Sequence, residues 1–330
     1  MFDCRNYTNT LREAKNIIIT THLIPDADGI GSQIALCMAL KSIGKNAYCV
    51  NDLPLLDRYS YLDPENVVLG HDDFISAHPQ FDADLFIVVD TNAATRIGAN
   101  MQKFLEKSKK LLFIDHHPCP PALMALHAID TSAAATGQIV GDLIEALGIE
   151  YTKEIALPLY TAILIDTSSF RYPTVTGNTH RLLAKLVDTG IHPPNAYNKI
   201  YGTKGISHMH MLGDILKKTC ATPCGRVGWI SLRDEDIEKY NGHSEDTHAF
   251  INHLLILNNI EVACMFRDLG DGKVKVSFRS AGDVDVGDIA VAMGGGGHNH
   301  SSATIIDGLF EDVIEQTTKK ITLILDQIKN

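Results

Sequence analysis

The sequence predicts an α/β fold: a parallel sheet with helices on both faces, a helical linker, and a smaller α/β C-terminal domain. Three observations predict it. In the first half, short runs rich in β-branched residues alternate with segments whose apolar residues recur at helical spacing, as in parallel strands joined by crossover helices. Several of those apolar runs end on Asp or His, as strands do when their carboxyl ends open onto a ligand. The break Gly190-Ile191-His192-Pro193-Pro194 then interrupts the alternation, and a second β-rich unit follows.

The elements follow in order. Residues 16–21 form a strand, and 29–43 a helix carrying Ile30, Ile34, Leu36, Met38, Leu40 and Ile43 at helical spacing. Residues 47–50, 67–69, 85–89, 111–114 and 126–129 read as further strands, with a charged amphipathic helix over 101–109. Helical patterns then cover 137–147, 153–165 and 178–188, and a helical connector covers 195–218. In the second unit, a helix closes at Leu254 and strands are expected at 227–232, 260–267, 273–279 and near 304–306. The glycine run Gly294 to Gly297 precedes the last of these, and a helix over 310–328 ends the chain. Domains are therefore expected over 1–190 and 221–330, with the linker over 191–220.

Composition narrows the function classes. The 330 residues, 45% apolar and 21% charged, are those of a globular protein, and 40 acidic against 29 basic residues give a net charge of -11. That balance argues against holding long nucleic acid by backbone electrostatics, but not against a short phosphate-bearing substrate, because bound cations would reverse the potential of an acidic site. Residues 1–9 lack an apolar stretch of the secretory kind, and no run approaches the roughly 20 apolar residues of a membrane span. The seven cysteines are odd in number and scattered, which fits reduced thiols; a cytoplasmic protein without membrane partners is expected. Cys220 and Cys224 are spaced as half of a zinc site, but no second Cys/His pair of matching spacing accompanies them.

The chemistry gathers at four element ends. His22, Asp26 and Asp28 lie in a strand-to-helix loop, Asp90 ends the run Leu85 to Val89, Asp115-His116-His117 follows Leu111 to Ile114, and Asp166 ends an apolar helix. Burying unpaired carboxylates and imidazoles costs several kcal/mol, so packing alone gives no reason for them. A lone Asp in such a place is usually a helix cap or turn former, and Asp28 before Gly29 would serve as one. Four such accidents in one half of the chain are improbable. Carboxylate oxygens and imidazole nitrogens suit Mn²⁺, Mg²⁺, Zn²⁺ or Fe²⁺, and six of these side chains are too many for one ion. The pattern points to two cations sharing a carboxylate, the arrangement that activates water and stabilises phosphoryl transfer.

In order and spacing, these motifs resemble those of DHH phosphoesterases, a group that includes RecJ-type exonucleases and family II pyrophosphatases. Phe278-Arg279-Ser280 and Gly294-Gly295-Gly296-Gly297-His298 resemble the DHH-associated C-terminal domain, and the length is similar to that of the bacterial oligoribonuclease and pAp-phosphatase subgroup, where pAp is adenosine 3′,5′-bisphosphate. The resemblance implies a catalytic domain over 1–190, a substrate-binding domain over 221–330 and an active site in the cleft between them. It implies two Mn²⁺ ions, with Mg²⁺ or Co²⁺ as substitutes. His22, Asp26 and Asp90 would hold one, and Asp28, Asp90, His116 and Asp166 the other. His117 would face the scissile phosphate, and Asp115 would orient His116. Arg279, Ser280, Gly295, Gly296, Gly297, His298 and Arg171 would contact substrate, although an interdomain ion pair is an equal role for Arg171. His300 and Tyr172 are weaker candidates.

Two departures stand out. Ala27 and Gly29 exchange the small residues usual in the first loop, which should leave its carboxylates in place, and Ser301-Ser302-Ala303 follows His298 where the family often has Ala-Ala-Gly or Ala-Ser-Gly. The implied activity is hydrolysis by a metal-activated hydroxide of very short RNA to nucleoside 5′-monophosphates, or of the 3′-phosphate of pAp. Cyclic di-AMP or linear pApA cleavage and a non-catalytic nucleotide sensor are the alternatives. The expected partners are small nucleotides or very short RNA, not long duplexes, and a homodimer is left open.

Overall fold

The computed structural model describes residues 3–243, 247–280 and 282–328. The chain divides into two compact units, Met1–Thr203 and Lys204–Asn330. In the first unit the elements run α1 (Arg5–Glu13), β1 (Asn16–Thr20), α2 (Ala27–Ser42), β2 (Asn46–Asn51), β3 (Val68–Gly70), α3 (His71–Ala77), β4 (Leu85–Val89), α4 (Ala99–Lys107), β5 (Lys110–Asp115), α5 (Pro121–Leu126), β6 (Ala128–Ile129), α6 (Thr136–Leu147), α7 (Lys153–Asp166), α8 (Gly177–Asp188) and α9 (Pro193–Tyr201). Among the described residues the sheet has six strands in the order β3-β2-β1-β4-β5-β6, and every pairing is parallel.

Alternation along the strands explains why both faces are covered. Ile17, Ile19, Leu85, Ile87, Val89, Leu112 and Ile114 pack with α1, α2, α6, α7 and α8 on one face. Their neighbours Ile18, Phe86, Val88 and Phe113 pack with Phe74 of α3 and Met101 of α4 on the other. Side chains of a strand point to opposite faces in turn, so strands buried on both sides read as unbroken apolar runs. β1 and β4 lie side by side at the centre, and the order departs from them in opposite directions. The carboxyl ends flanking that switch point are where open α/β sheets bind ligands.

The second unit contains α10 (Ile206–Leu216), β7 (Cys220–Ala221), β8 (Val227–Leu232), α11 (Asp234–Glu238), β9 (Val262–Asp268), β10 (Lys273–Ser280), α12 (Val286–Val291), β11 (Gly296–His298), β12 (Ser301–Asp307) and α13 (Phe310–Ile328). Its sheet runs β11-β12-β10-β9-β8-β7, antiparallel except for the parallel pair β8 and β9. Val276, Phe278 and Phe266 face α12 and α13, while Ile230, Ala263 and Met265 face α10 and a 3-10 turn at Phe250–Ile256.

Several elements differ from expectation. The expected connector supplies α9 to the first unit and α10 to the second, because Ala196 packs in the first core and Met211 and Ile215 in a core of the second. The strand expected over 126–129 is shortened to Ala128–Ile129, since Pro121 opens the short helix α5 ahead of it. The helix expected to close at Leu254 is a 3-10 turn. No helix among the described residues is long and apolar enough to cross a membrane.

Candidate metal centre

The loop after β1 delivers the first ligands. Asp26 caps α2: its Oδ1 accepts the backbone N–H groups of Asp28 at 2.9 Å and Gly29 at 3.1 Å. The cap and the candidate ligand are therefore one residue, with a single oxygen spent on the helix. Gly29 is required by close approach, because a Cβ there would lie 2.4 Å from Thr21 Oγ1 and 3.2 Å from Asp90 Oδ2. Two residues after Asp26, Asp28 is wholly buried, and both its oxygens are engaged by the start of α6. Thr136 N donates to Oδ2 at 2.8 Å and Gly137 N to Oδ1 at 2.9 Å, the favourable end of a helix for a negative charge.

Asp90, at the end of β4, sits at the centre. Its φ of +63° is left-handed, which costs about 1–2 kcal/mol for an ordinary L-residue and is tolerated best by Asp and Asn. Its N–H donates to Ile114 O at 2.9 Å, and the Thr136 hydroxyl donates to its Oδ1 at 3.1 Å. Its two oxygens face different neighbours: Oδ2 lies 3.3 Å from His22 Nε2, and Oδ1 lies 4.0 Å from His116 Nε2 and 3.8 Å from His117 Nδ1.

His116 Nε2 also lies 3.3 Å from Asp166 Oδ2 and 3.9 Å from Asp28 Oδ2. The ligand atoms thus gather into two triads, His22-Asp26-Asp90 and Asp28-His116-Asp166, each within 4.8 Å, and a third grouping joins Asp90, His116 and His117. The expected partner of Asp115 was His116. Instead its Oδ1 accepts the ring Nδ1–H of His117 at 2.7 Å and only the backbone N–H of His116 at 2.9 Å, so the imidazole it orients is that of His117.

The charges explain one another. Burial, with the Asp166 charge behind it, pushes the Asp28 carboxyl up to about 7, and burial with the charge of Asp26 does the same to Asp166. Asp90 is raised well above the usual carboxylate range by burial and the charge of Asp28. Burial lowers both His22 and His116, the Arg96 guanidinium acting in the same direction on His22. Burial also works against ionisation of His117, but the hydrogen bond and charge of Asp115 outweigh it and raise its pKa. Crowded carboxylates that resist ionisation beside neutral imidazoles suit divalent cations, which supply the missing positive charge and bind these groups in their deprotonated forms. The first-turn cradle at Gly29 belongs to the same fit.

The substrate candidates are placed as follows. Arg171, beyond the end of α7 at Asp166, donates from Nε to Ser168 O and from Nη2 to Ser168 Oγ, both at 2.8 Å. In the second unit, Arg279 lies on β10 and donates from Nη1 to Phe278 O at 2.9 Å. Ser280 is wholly buried, and its hydroxyl is committed to Val284 O at 2.6 Å and His300 Nδ1 at 3.0 Å. A Cβ on Gly295 would lie 2.2 Å from Ala303 O, and one on Gly297, at φ +144°, 2.5 Å from Ser302 Cα, so both are glycine for close packing on β12. Gly296 has open space around its Cβ position. His298 pairs with Ser301 through its backbone, and its side chain lies outside the described residues.

Four residues outside the expected set belong to the site. Thr136 and Gly137 act mainly through backbone N–H groups, which side-chain reading does not register. Asn92 donates from Nδ2 to Asp115 Oδ2 at 2.7 Å and to His117 O at 3.3 Å, and its place two residues after Asp90 was the available signal. Arg96 is exposed beside the first loop, where its carbonyl accepts Leu23 N–H at 2.7 Å.

Known proteins match the chain along most of its length. Residues 16–163 match the DHH family N-terminal domain, and residues 231–327 match the DHHA1 domain. The chain is 33% identical over 312 residues to the bifunctional oligoribonuclease and PAP phosphatase NrnA of Thermus thermophilus, covering 93% of this chain and 90% of that one. It is 26% identical over 297 residues to the protein of the same name from Bacillus subtilis, covering 88% and 89%. Among solved structures, an exopolyphosphatase-related protein from Bacteroides fragilis superimposes with a TM-score of 0.85 at 26% identity, covering 98% of this chain and 97% of that one. The chain belongs to the DHH phosphoesterase family, in the branch that carries a C-terminal DHHA1 domain.

Proposed function

We propose that this protein is a metal-dependent phosphohydrolase that cleaves short oligoribonucleotides to nucleoside 5′-monophosphates and removes the 3′-phosphate of pAp. The observation that carries the reading is Asp90, whose Oδ2 faces His22 and whose Oδ1 faces His116 from between two triads of ligand atoms. The bifunctional oligoribonuclease and PAP phosphatase of Thermus thermophilus supports the substrate class.

His22, Asp26 and Asp90 would hold one cation, and Asp28, Asp90, His116 and Asp166 the other. Two Mn²⁺ ions there, or Mg²⁺ or Co²⁺ in their place, would supply an ionised water and neutralise charge on phosphoryl oxygens. Thr136 fixes the shared carboxylate through its hydroxyl, and the N–H groups of residues 136 and 137 fix Asp28. His117, steered through Nδ1 by Asp115 and supported by Asn92, takes the phosphate-facing role. Arg279 and His298 of the second unit are assigned to the non-reacting phosphate or base, the guanidinium being suited to bidentate phosphate contact. A nucleotide sensor without turnover would have little use for a complete ligand set of this kind.

The test is to incubate purified protein and Mn²⁺ with pAp, pApA and cyclic di-AMP and to identify the products by mass spectrometry. Release of AMP from pAp and pApA with cyclic di-AMP intact is expected. Linearisation of cyclic di-AMP with pAp untouched would replace this reading with a cyclic-dinucleotide phosphodiesterase.

A further inference from the structure

Immediately after Asp166 the backbone adopts a conformation that L-residues avoid. Ser168, Ser169 and Phe170 have φ of +50°, +64° and +65°, three consecutive left-handed residues without a glycine. Single residues of this kind are uncommon, and a run of them persists only where its surroundings over-determine it. The surroundings here are specific. Ser169 N–H donates to Leu164 O at 2.8 Å, Phe170 N–H to Thr167 Oγ1 at 3.0 Å and Arg171 N–H to Thr167 O at 2.9 Å. Phe170 is held edge-on to Tyr160 with ring centroids 5.9 Å apart. A further clamp is the Arg171 guanidinium, which grips the carbonyl and the hydroxyl of Ser168, the first left-handed residue, with two of its nitrogens.

The turn decides where α7 stops. Right-handed values at residues 168–170 would carry the helix on past Asp166, which is its last residue and lies 3.3 Å from His116 Nε2. We infer that Arg171 is a positioning residue that clamps the strained turn at Ser168–Phe170 and so holds the Asp166 carboxylate in the ligand cluster. This rests on the proposed metal-binding role of Asp166. It gives Arg171 work inside its own turn, where the sequence left a substrate contact and an interdomain ion pair as equal roles. An arginine suits the task because its planar fork meets two acceptors at once, which a single ammonium does not.

Calorimetric titration of metal-free protein with Mn²⁺ tests it without recourse to activity. Asp166→Asn is expected to weaken one of two sites and leave the other unchanged. Arg171→Ala should weaken the same site by about 10-fold, the scale of losses when a residue supporting a metal ligand is removed, and Arg171→Lys should not restore it. Adding Ser168→Gly to Arg171→Ala should bring affinity back to within about three-fold of wild type, because glycine adopts positive φ without steric cost. That rescue separates positioning from a general loss of fold, and the double variant carries the test if Arg171→Ala alone does not fold. If Asp166→Asn leaves both sites intact, the metal role of Asp166 falls and the inference with it. If Asp166→Asn weakens a site while Arg171→Ala leaves Mn²⁺ binding unchanged and only raises KM for pAp, the inference is overturned and Arg171 is a substrate contact.

Discussion

Asp115 accepts the ring Nδ1–H of His117 at 2.7 Å from a position with no exposure to solvent. The pairing divides the His-His motif into two environments. His116 is pressed among carboxylates with its pKa lowered by burial, while His117 is steered by one buried carboxylate that is itself held by Asn92. Asp115→Asn keeps the shape and removes the charge that fixes the imidazole. The variant is expected to lose about 10- to 100-fold in kcat, the usual range for such supporting groups, while still binding two Mn²⁺ ions. Loss of one ion in calorimetry would make His117 a ligand, as its grouping with Asp90 and His116 allows.

Thr136 ties both triads together, since its N–H reaches Asp28 and its hydroxyl reaches Asp90. Thr136→Val preserves the backbone bond and the volume but deletes the hydroxyl. A hydrogen bond to a charged group contributes about 1.5–3 kcal/mol, so a fall of roughly 10- to 100-fold in kcat/KM is expected. Thr136→Ser, which keeps the hydroxyl, should remain within a few-fold of wild type. Equal losses in both variants would assign the effect to packing.

How much of this was legible in the sequence depends on which atoms carry the interaction. Side chains at element ends declared themselves, because His22, Asp28, Asp90, His116 and Asp166 are costly to bury without a purpose, and Asp26, though exposed, lies between two of them in the chain. The strands were legible for the same reason that they are buried on both faces. The backbone donors of residues 136 and 137 were not, because every residue has an N–H and only the packing of α6 against α2 aims these two. The pairing of Asp115 with His117 rather than His116 depends on ring orientation, which spacing leaves open. The glycine run is explained in part by close approach to β12 at Gly295 and Gly297, a requirement set by the sheet rather than by a ligand.

Away from the centre, Asp142 on α6 provides a pH test of the fold. Burial, with the charges of Glu145 and Asp130 behind it, pushes its carboxyl from the ordinary 3.8 up to about 6. The folded state then holds this proton more tightly than the unfolded state, so the contribution of Asp142 to stability is greatest below pH 4 and is lost as pH rises to about 6. Asp142→Asn should match wild type near pH 4 and exceed it increasingly up to pH 6, with a constant gain above. Denaturant midpoints measured across that range check this, and a gain independent of pH would contradict it.

Metal should also act on stability. In the metal-free protein the charge of Asp166 raises the pKa of Asp28, and the charges of Asp28 and Asp166 raise that of Asp90, so cations that bind only the folded state relieve that repulsion. At Mn²⁺ 100-fold above its Kd, linkage stabilises by about 2.7 kcal/mol per site, and a rise of several degrees in Tm is expected on adding Mn²⁺ to chelator-treated protein. Sodium at matched ionic strength should give little change. An unchanged Tm would speak against a cation site among these residues.

Asp90 is the carboxylate proposed to be shared by two metal sites, and phosphate release from pAp with saturating Mn²⁺ tests that role most directly. Asp90→Ala should fold and yet release phosphate at less than about one-thousandth of the wild-type rate, the order of loss on removing a central catalytic group. Phosphate release by Asp90→Ala near the wild-type rate would contradict the shared-ligand site and the reaction proposed for it.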